Sequence, residues 1–370
     1  MFRVFVFFFS LLLPVFVMAQ PVDPQLQQAI DETYNAHFDE AQTTVDSYIK
    51  INPTDPKGYM VRGTLNDWKQ LVHNLKGSLN SKIMKDYEEA SKLAFQQWNG
   101  DQENVDKMVN LGNSYMYLSK KYIDLGKKMK SGSILKSAQK YMEEALKKDP
   151  SRYDALFAMG IFNFYAANIP SGLKFLASLL GIKGNEAQGL AQLKKAASNP
   201  NILQPQALYI LSYANAQSKK KYMEANIYLD QLILKYPDNP EFRHVKAEYT
   251  FRNKQYADSR KQFDNFFKFC STKPLDFCSK EYHFLAHYFL ASGYFNENKI
   301  LEAKPHIEEA FQLDDKKHSD STARLHYYKG MLHKAEGNKD AAIVEFRSID
   351  KSKNETIWEK AQKELLALEK

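Results

Sequence analysis

The stretch 125–150, LGKKMKSGSILKSAQKYMEEALKKDP, contains a spaced series of small residues with one large residue among them. Gly126 and Ala138 come first, Met142 is the large residue, Ala145 is again small, and Pro150 ends the stretch. Two antiparallel helices cross closely only where small side chains face each other, and a large side chain fills the adjoining hole. Because proline cannot continue a helix, the series predicts a helix pair that ends before Pro150.

The same spacing returns in several other parts of the chain, and these independent units agree in phase. The pattern resembles the tetratricopeptide repeat (TPR), in which each repeat is one pair of antiparallel helices. The small and proline positions of the pattern are Ala41, Pro53, Gly126, Ala138, Ala145, Pro150, Gly160, Ala225, Pro237, Ala303, Ala310, Gly330 and Ala342. The resemblance implies an all-α, TPR-like α-solenoid of about seven or eight helix pairs.

No β-strand pattern and no long Gly/Ser linker interrupts the sequence, so residues 20–370 are expected to form a single TPR superhelix. The final segment, about 355–370, predicts one amphipathic helix with Trp358, Ala361, Leu365 and Leu366 on one side. A terminal repeat needs a cap with a polar outer face, and this helix suits that role.

One segment interrupts the array: IPSGLKFLASLLGIKGNEAQGL, 169–190. The small residue of the second helix, expected near Gly172, is found instead at Gly189, which indicates an insertion at about 168–184. Proline before residue 171 and glycine after residue 180 predict a short helix between them. This apolar helix could patch a gap in its own repeat, which is the usual role of such a stripe, or form a lid, a partner site or a membrane-facing patch.

The insertion also resembles the signature of a TPR family of inclusion-body clearance and mitochondrial outer membrane proteins. That signature has a proline-led apolar helix, a Gly-x-x-Gly turn and a Gly-Leu pair before the next helix. The matching residues are Pro170, Leu173, Leu176, Leu180, Gly181, Gly184, Gly189 and Leu190. The resemblance implies the TPR architecture and work near lipid or exposed apolar surfaces, and it implies no catalytic residue.

The N-terminal segment has the layout of a secretory signal peptide. Arg3 precedes an apolar run that ends at Val17, and Ala19 supplies a small residue before Gln20. This pattern predicts cleavage after residue 19, whereas Pro14 and the short run argue against a spanning helix. The residue directly after the predicted cleavage site is Gln20 and not cysteine, so a lipoprotein is not expected. The periplasm of a Gram-negative-type bacterium is the expected location.

Two cysteines, Cys270 and Cys278, lie close together in the sequence. In an exported protein such a pair most simply forms a disulfide. A metal site would need further ligands, and the spacing is not that of a redox C-x-x-C motif, so the disulfide is the preferred interpretation.

No sequence motif of a known catalytic class is present, and the chain is expected to be neither an enzyme nor a cofactor or metal protein. Glu241 and His244, one helical turn apart, could make half of a metal site, but they are expected to be surface residues. His283, His287, His306 and His326 could converge in the folded array.

The net charge of +7 is spread along the chain, which favours solvated helix faces over nucleic-acid binding. A lysine-rich stretch from Lys120 to Lys140 is either such a face or a site for an anionic partner. Aromatic residues on first helices are candidate anchors for a partner. The candidate partner-binding residues, including leucines of the insertion, are Tyr115, Phe162, Tyr165, Tyr209, Leu173, Leu176 and Leu180.

These observations favour a non-catalytic envelope scaffold that binds a protein or peptide in the concave TPR groove. The alternative is a transport-associated accessory protein that binds a small apolar ligand or a periplasmic solute-binding protein. A membrane surface or an apolar ligand at the insertion is the third option that the sequence leaves open.

Overall fold

The computed structural model describes residues 22–179, 181–199, 201–274, 277–314 and 319–369. Within these ranges the chain forms eight antiparallel helix pairs, one short extra helix and a terminal helix, and it contains no strand. The predicted all-α TPR solenoid is therefore confirmed. The predicted signal peptide, residues 1–19, and Leu180 lie outside the described residues, as does the side chain of Leu176.

The first four pairs are α1 Pro24–Tyr34 with α2 Phe38–Ile51, α3 Pro56–Val72 with α4 Asn80–Gly100, α5 Val105–Asp124 with α6 Lys128–Lys148, and α7 Tyr153–Ala167 with α9 Glu186–Ala197. Between α7 and α9 lie a 3-10 turn, Ser171–Leu173, and the short helix α8, Lys174–Leu179. The last four pairs are α10 Gln204–Lys219 with α11 Tyr222–Lys235, α12 Pro240–Arg252 with α13 Tyr256–Ser271, α14 Lys280–Asn296 with α15 Lys304–Leu313, and α16 Ser319–Ala335 with α17 Lys339–Arg347. The terminal helix is α18 Glu355–Leu368.

Prolines and polar caps fix where several first helices begin. Pro56 and Pro240 occupy the first turns of α3 and α12, where a missing backbone N–H costs nothing. The preceding residues cap the same helices, because Asp55 Oδ1 accepts the N–H of Lys57 at 2.9 Å and Asn239 Oδ1 accepts the N–H of Glu241 at 3.0 Å. These local signals set the phase of each repeat.

The turn inside six of the pairs contains one residue in the left-handed region. These residues are Ala36, Gly126, Lys220, Lys254, Asn298 and Gly337. Gly126, with φ of 74°, thus belongs to the α5–α6 turn, and a Cβ there would meet no atom within 4 Å. Its assignment as a helix-crossing residue is wrong, because α5 and α6 are 20 and 21 residues long and their crossing lies farther from the turn. Gly112 makes that crossing, with a Cβ position 2.7 Å from Met142 Cε.

The remaining residues of the repeat pattern lie at packing positions or just after second helices. The alanines are fully buried and are Ala41, Ala138, Ala145, Ala225, Ala303, Ala310 and Ala342. Gly160 and Gly330 lie at crossings, against Leu193 and Phe346. Pro53, Pro150 and Pro237 each follow the end of a second helix by two residues.

The terminal helix α18 packs on α16 and α17 through Ile357, Ala361 and Leu365. Leu366, which the sequence pattern placed on the packed side, is 63% exposed. The packed face consists of Ile357, Ala361 and Leu365 with Trp358 at its edge, and Leu366 lies on the opposite side of the helix. No helix in the described ranges is long and apolar enough to cross a membrane.

The array closes on itself between its first pair and its fifth and sixth pairs. Tyr236, after α11, donates its hydroxyl to Asp31 Oδ1 of α1 at 2.7 Å. Asn239 donates its side-chain amide to the Tyr34 carbonyl at 2.7 Å. The backbone N–H of Asp238 donates to Asn35 Oδ1 at 3.0 Å. The superhelix therefore forms a closed turn from α1 to α12, and its inner face differs from the open groove expected from the sequence.

Candidate functional site

The space inside the closed turn is filled by aromatic side chains, which we call the interior cluster: Tyr34, Trp68, Tyr209 and Phe242. The Trp68 ring lies 4.7 Å from Tyr34, 5.1 Å from Tyr209 and 5.7 Å from Phe242, measured between ring centroids. These rings come from pairs 1, 2, 5 and 6. The concave face of these pairs is thus a packed core, and no continuous groove runs along it.

Tyr209, a predicted partner-binding residue, belongs to this core. Its hydroxyl donates to Glu241 Oε1 at 2.5 Å, and Tyr282 donates to Glu241 Oε2 at 2.7 Å. Burial raises the pKa of Glu241, although the two tyrosine hydrogen bonds act in the opposite direction. Tyr209 is partly buried and its hydroxyl is bonded to Glu241 within the fold, so less of it is open to a partner than the sequence predicted.

Phe162 and Tyr115 are also poor partner anchors. Phe162 is 2% exposed and packs in a second core cluster with Met159 and Ala177, so its predicted role is wrong. Tyr115 is half-buried beside Tyr141, with ring centroids 6.1 Å apart. At helical spacing most aromatic residues of a repeat array are core, and these two follow that rule.

Tyr165 of α7 is the predicted anchor that the structure leaves accessible. It is 47% exposed, and Tyr213 of α10, the next first helix, is 42% exposed. Desolvation raises the pKa of Tyr165, and the neighbouring Tyr213 raises it further. The positive charge of Lys120 acts in the opposite direction and lowers the pKa of Tyr165. Lys120 itself forms ion pairs with Asp67 and with Asp124. We call Tyr165, Tyr213 and Lys120 the mouth surface.

The inserted helix α8 turns its apolar residues in two directions. Ala177 and the following Ile182 are buried in the second core cluster, and Leu173 is half-buried. Phe175 and Leu179 point outward, with 73% and 65% of their surface exposed. The sequence analysis chose Leu173, Leu176 and Leu180 as candidate contacts and did not select Phe175 or Leu179, because an apolar pattern on one short helix does not reveal which face the repeat covers.

Three glycines hold the ends of the insertion against the array. A Cβ on Gly184 would lie 2.4 Å from Ala167 N and from Asn163 O, and one on Gly189 would lie 2.7 Å from Phe164 N. Gly160 faces Leu193 at a similar distance. Helices α7 and α9 therefore touch backbone to backbone, and the insertion leaves and rejoins the array at fixed points.

The lysine-rich stretch divides into paired and unpaired groups. Lys121 is 1% exposed, and its ammonium contacts Asp67 Oδ1 at 3.1 Å, so it belongs to the fold. Lys127 and Lys130 lie over the Tyr122 ring. Lys136 and Lys140, farther along α6, are exposed. Only part of the stretch is therefore open to a partner.

The family model described as Iml2/Tetratricopeptide repeat protein 39 matches residues 81–271, which is more than half of the chain. The matched region begins in α4, contains the insertion and ends with α13. The chain belongs to this family. TPR proteins of this kind are in general non-catalytic repeat scaffolds that bind protein partners.

Three solved structures show how this Iml2/TPR 39 family member compares with other TPR proteins. A TPR protein from Parabacteroides merdae aligns with a TM-score of 0.40 and 18% identity, covering 80% of this chain and 98% of that protein. PilF of Pseudomonas aeruginosa aligns with a TM-score of 0.44 and 16% identity, covering 70% of this chain and 99% of PilF. Yeast Tom70 aligns with a TM-score of 0.40 and 13% identity, covering 93% of this chain and 88% of Tom70. No curated protein sequence matches the chain significantly.

The histidines of this family member converge only in part. His287 and His306 approach at 3.1 Å between their Nδ1 atoms, and His283 and His287 both stack on Phe267. His326 lies apart, bonded to Glu345. Among the described residues, no group of three or more His, Cys, Asp or Glu side chains is placed to hold a metal ion. Cys270 and Cys278 form a disulfide.

Glu241 and His244 are buried, and the expectation that they lie on the surface of α12 is wrong. His244 is 2% exposed and is surrounded by Phe263, Phe266 and Tyr282 at ring distances of 5.2 to 5.5 Å. Desolvation lowers the pKa of His244 to about 3. The ring is therefore neutral in the folded protein at neutral pH, and Glu241 is bonded to the two tyrosines and not to it.

We expect His244 to make the stability of the fold depend on pH. In the unfolded chain a histidine binds a proton below about pH 6.5, whereas the folded protein does not until about pH 3. Stability is therefore retained above the unfolded pKa and lost as pH falls, by about 1.4 kcal/mol per pH unit. Urea denaturation of wild type and His244→Leu at pH 7 and pH 5 should show that wild type loses about 2 kcal/mol more than the variant.

His287, whose pKa is lowered to about 4 by burial and by His306 and His283, acts in the same direction. It is present in both proteins, so the comparison isolates His244. Equal losses in wild type and variant would contradict the buried neutral state of His244.

Proposed function

We propose that this chain is a non-catalytic scaffold of the bacterial envelope that binds a protein or peptide partner through the mouth surface. The observation that carries the proposal is the exposure of two tyrosines, Tyr165 and Tyr213, on the successive first helices α7 and α10. Tyrosine is enriched at the energetic centres of protein interfaces, because it offers a large apolar face and a polar tip. An accessible pair next to a charged rim suits a partner contact.

The interior cluster limits the parts of the array to which such a partner can bind. A peptide running along the whole concave groove would have to displace Trp68 and Phe242, which are 6% and 0% exposed. A small apolar ligand would need the same space. We therefore place the contact at the mouth surface and do not propose the transport-associated role.

The proposed envelope location draws on two features. Residues 1–19 have the composition and order of a signal peptide. The Cys270–Cys278 disulfide closes a short loop, and such bonds persist in oxidising compartments such as the periplasm. Both features support export to the periplasm of a Gram-negative-type bacterium.

Replacing Tyr165 and Tyr213 by alanine is expected to lower recovery of the partner about tenfold or more, because truncating hot-spot residues commonly costs at least 2 kcal/mol. The measurement is crosslinking in intact cells, purification of the chain and quantification of crosslinked proteins by mass spectrometry. Circular dichroism checks that the double variant is folded.

A matched control replaces Phe95 and Ile227, which are 43% and 58% exposed on other helices, by alanine. This control should keep the partner. If both double variants recover the same crosslinked proteins as wild type, or if both lose them, the mouth surface is not the binding site.

A further inference from the structure

The outward face of α8 carries two large apolar side chains. Phe175 and Leu179 are one turn apart and are 73% and 65% exposed. Residues of this size are normally placed on the packed side of a helix, and a contiguous apolar patch marks a contact with a partner or a membrane. In α8 the packed side is taken by the small Ala177.

The fold holds this apolar pair in place. Ala177 and Ile182, 9% and 8% exposed, anchor α8 in the second core cluster. Gly184 then rejoins α7 at a backbone contact that leaves no room for a Cβ. Phe175 and Leu179 are therefore presented from a fixed base and cannot fold inward without displacing Ala177.

Four exposed lysines lie on α8, just after it or on the neighbouring α6, and we call them the lysine rim: Lys136, Lys140, Lys174 and Lys183. Lys174 adjoins Phe175 in the sequence, and Lys183 follows Ile182. Lys136 reaches α8 from α6, because its Nζ lies 3.4 Å from the Cβ position of Gly181. Lys140 lies one turn farther along the same face of α6.

The ammonium groups of the lysine rim are not held in ion pairs. None of the four forms an ion pair within the described residues, whereas other lysines such as Lys120 and Lys148 do. The patch therefore combines exposed apolar side chains with lysines whose ammonium groups are available to an anionic surface.

We propose that α8 and the lysine rim form a surface that docks on an anionic lipid bilayer. Phe175 and Leu179 enter the boundary between headgroups and acyl chains, and the four lysines contact the lipid phosphates. The arrangement fits a lipid surface, because the two apolar side chains match the boundary of the acyl chains and the lysines match the anionic headgroups above it. This surface is separate from the mouth surface, so the inference goes beyond the proposed function.

Vesicle co-sedimentation tests the docking surface. The protein is the full chain purified after processing by the cell, so wild type and variants have the same N-terminus. Wild type is expected to bind phosphatidylcholine vesicles containing about 30 mol % phosphatidylglycerol at least tenfold more tightly than pure phosphatidylcholine vesicles. The preference should fall steeply as salt rises from about 0.1 M to about 0.5 M.

Two variants separate the contributions of the surface. Phe175→Ser with Leu179→Ser should weaken binding to the anionic vesicles about tenfold or more. Changing all four rim lysines to glutamine should remove the preference for anionic vesicles. The control for the apolar pair is Ile227→Ser with Leu234→Ser, which changes two exposed apolar residues of α11. The control for the lysine rim changes four other exposed lysines, which form no ion pair within the described residues, to glutamine: Lys50, Lys339, Lys360 and Lys363. Both controls should bind as wild type.

Three results would overturn the proposal. In the first, wild type does not bind the anionic vesicles. In the second, wild type binds both vesicle types equally. In the third, the variants at α8 and the lysine rim bind the anionic vesicles as tightly as their controls do. If the α8 variant loses a crosslinked protein while wild type ignores vesicles, the patch is a protein contact and the membrane assignment fails. Loss of the partner on changing Tyr165 and Tyr213 bears only on the mouth surface.

Discussion

Replacing Gly189 by alanine is expected to lower the free energy of unfolding by about 3 kcal/mol or more. The new Cβ would lie 2.7 Å from Phe164 N and 2.8 Å from Gly160 O, both backbone atoms of α7. A flexible side chain could move aside, but two helix backbones can relieve this contact only by separating along the crossing. Overpacking of this kind is among the recognised causes of large destabilisation. Urea denaturation followed by circular dichroism measures the loss.

Gly172→Ala is the matched control, because it lies in the same insertion and a Cβ there would meet no atom within 4 Å. We expect a change within about 0.5 kcal/mol, since the substitution touches nothing and also reduces the freedom of the unfolded chain. Gly184→Ala should behave like Gly189→Ala, with its Cβ 2.4 Å from two backbone atoms. If Gly172→Ala and Gly189→Ala have equal effects, α7 and α9 do not pack as closely as described.

Spacing in the sequence was sufficient to predict the repeat, because helix crossings depend on local residue size. Ala138, Met142 and Ala145 lie where the series placed them, and so do Gly160 and Leu193 across the insertion. The pattern failed where helix length departs from the standard repeat. Gly126 has the spacing of a crossing residue, but the two extra turns of α5 and α6 move the crossing to Gly112.

The candidate site was harder to predict, because exposure depends on contacts between distant pairs. Tyr165 and Tyr209 are both aromatic residues on first helices, and no local feature separates them. Tyr209 is partly buried because Trp68 lies 5.1 Å from it once pair 2 meets pair 5. That contact follows from the curvature summed over several repeats, and the sequence of one repeat does not contain it.

Replacing Trp68 by alanine is expected to cost about 3–5 kcal/mol, the range for removing a large aromatic side chain from a packed core. Trp68 is 6% exposed and contacts Tyr34, Tyr209 and Phe242 from three other helix pairs. Because Trp68 joins rings from three other pairs, the cavity would loosen the closed turn as well as α3. Urea denaturation by circular dichroism measures the total loss, and hydrogen exchange followed by mass spectrometry locates it.

The location of the loss distinguishes a closed array from an open one. In an open solenoid each pair contacts only its neighbours, so a change in pair 2 would lower exchange protection in pairs 1 to 3 alone. In the closed turn, Trp68→Ala should also lower protection in α12, because Phe242 of α12 packs on Trp68 of the second pair. Trp358→Ala in α18 is the control, because Trp358 packs in the terminal cluster and should leave α12 unchanged. Normal protection of α12 in Trp68→Ala would mean that the second and sixth pairs do not stabilise each other, and the closed turn would then not be a cooperative unit.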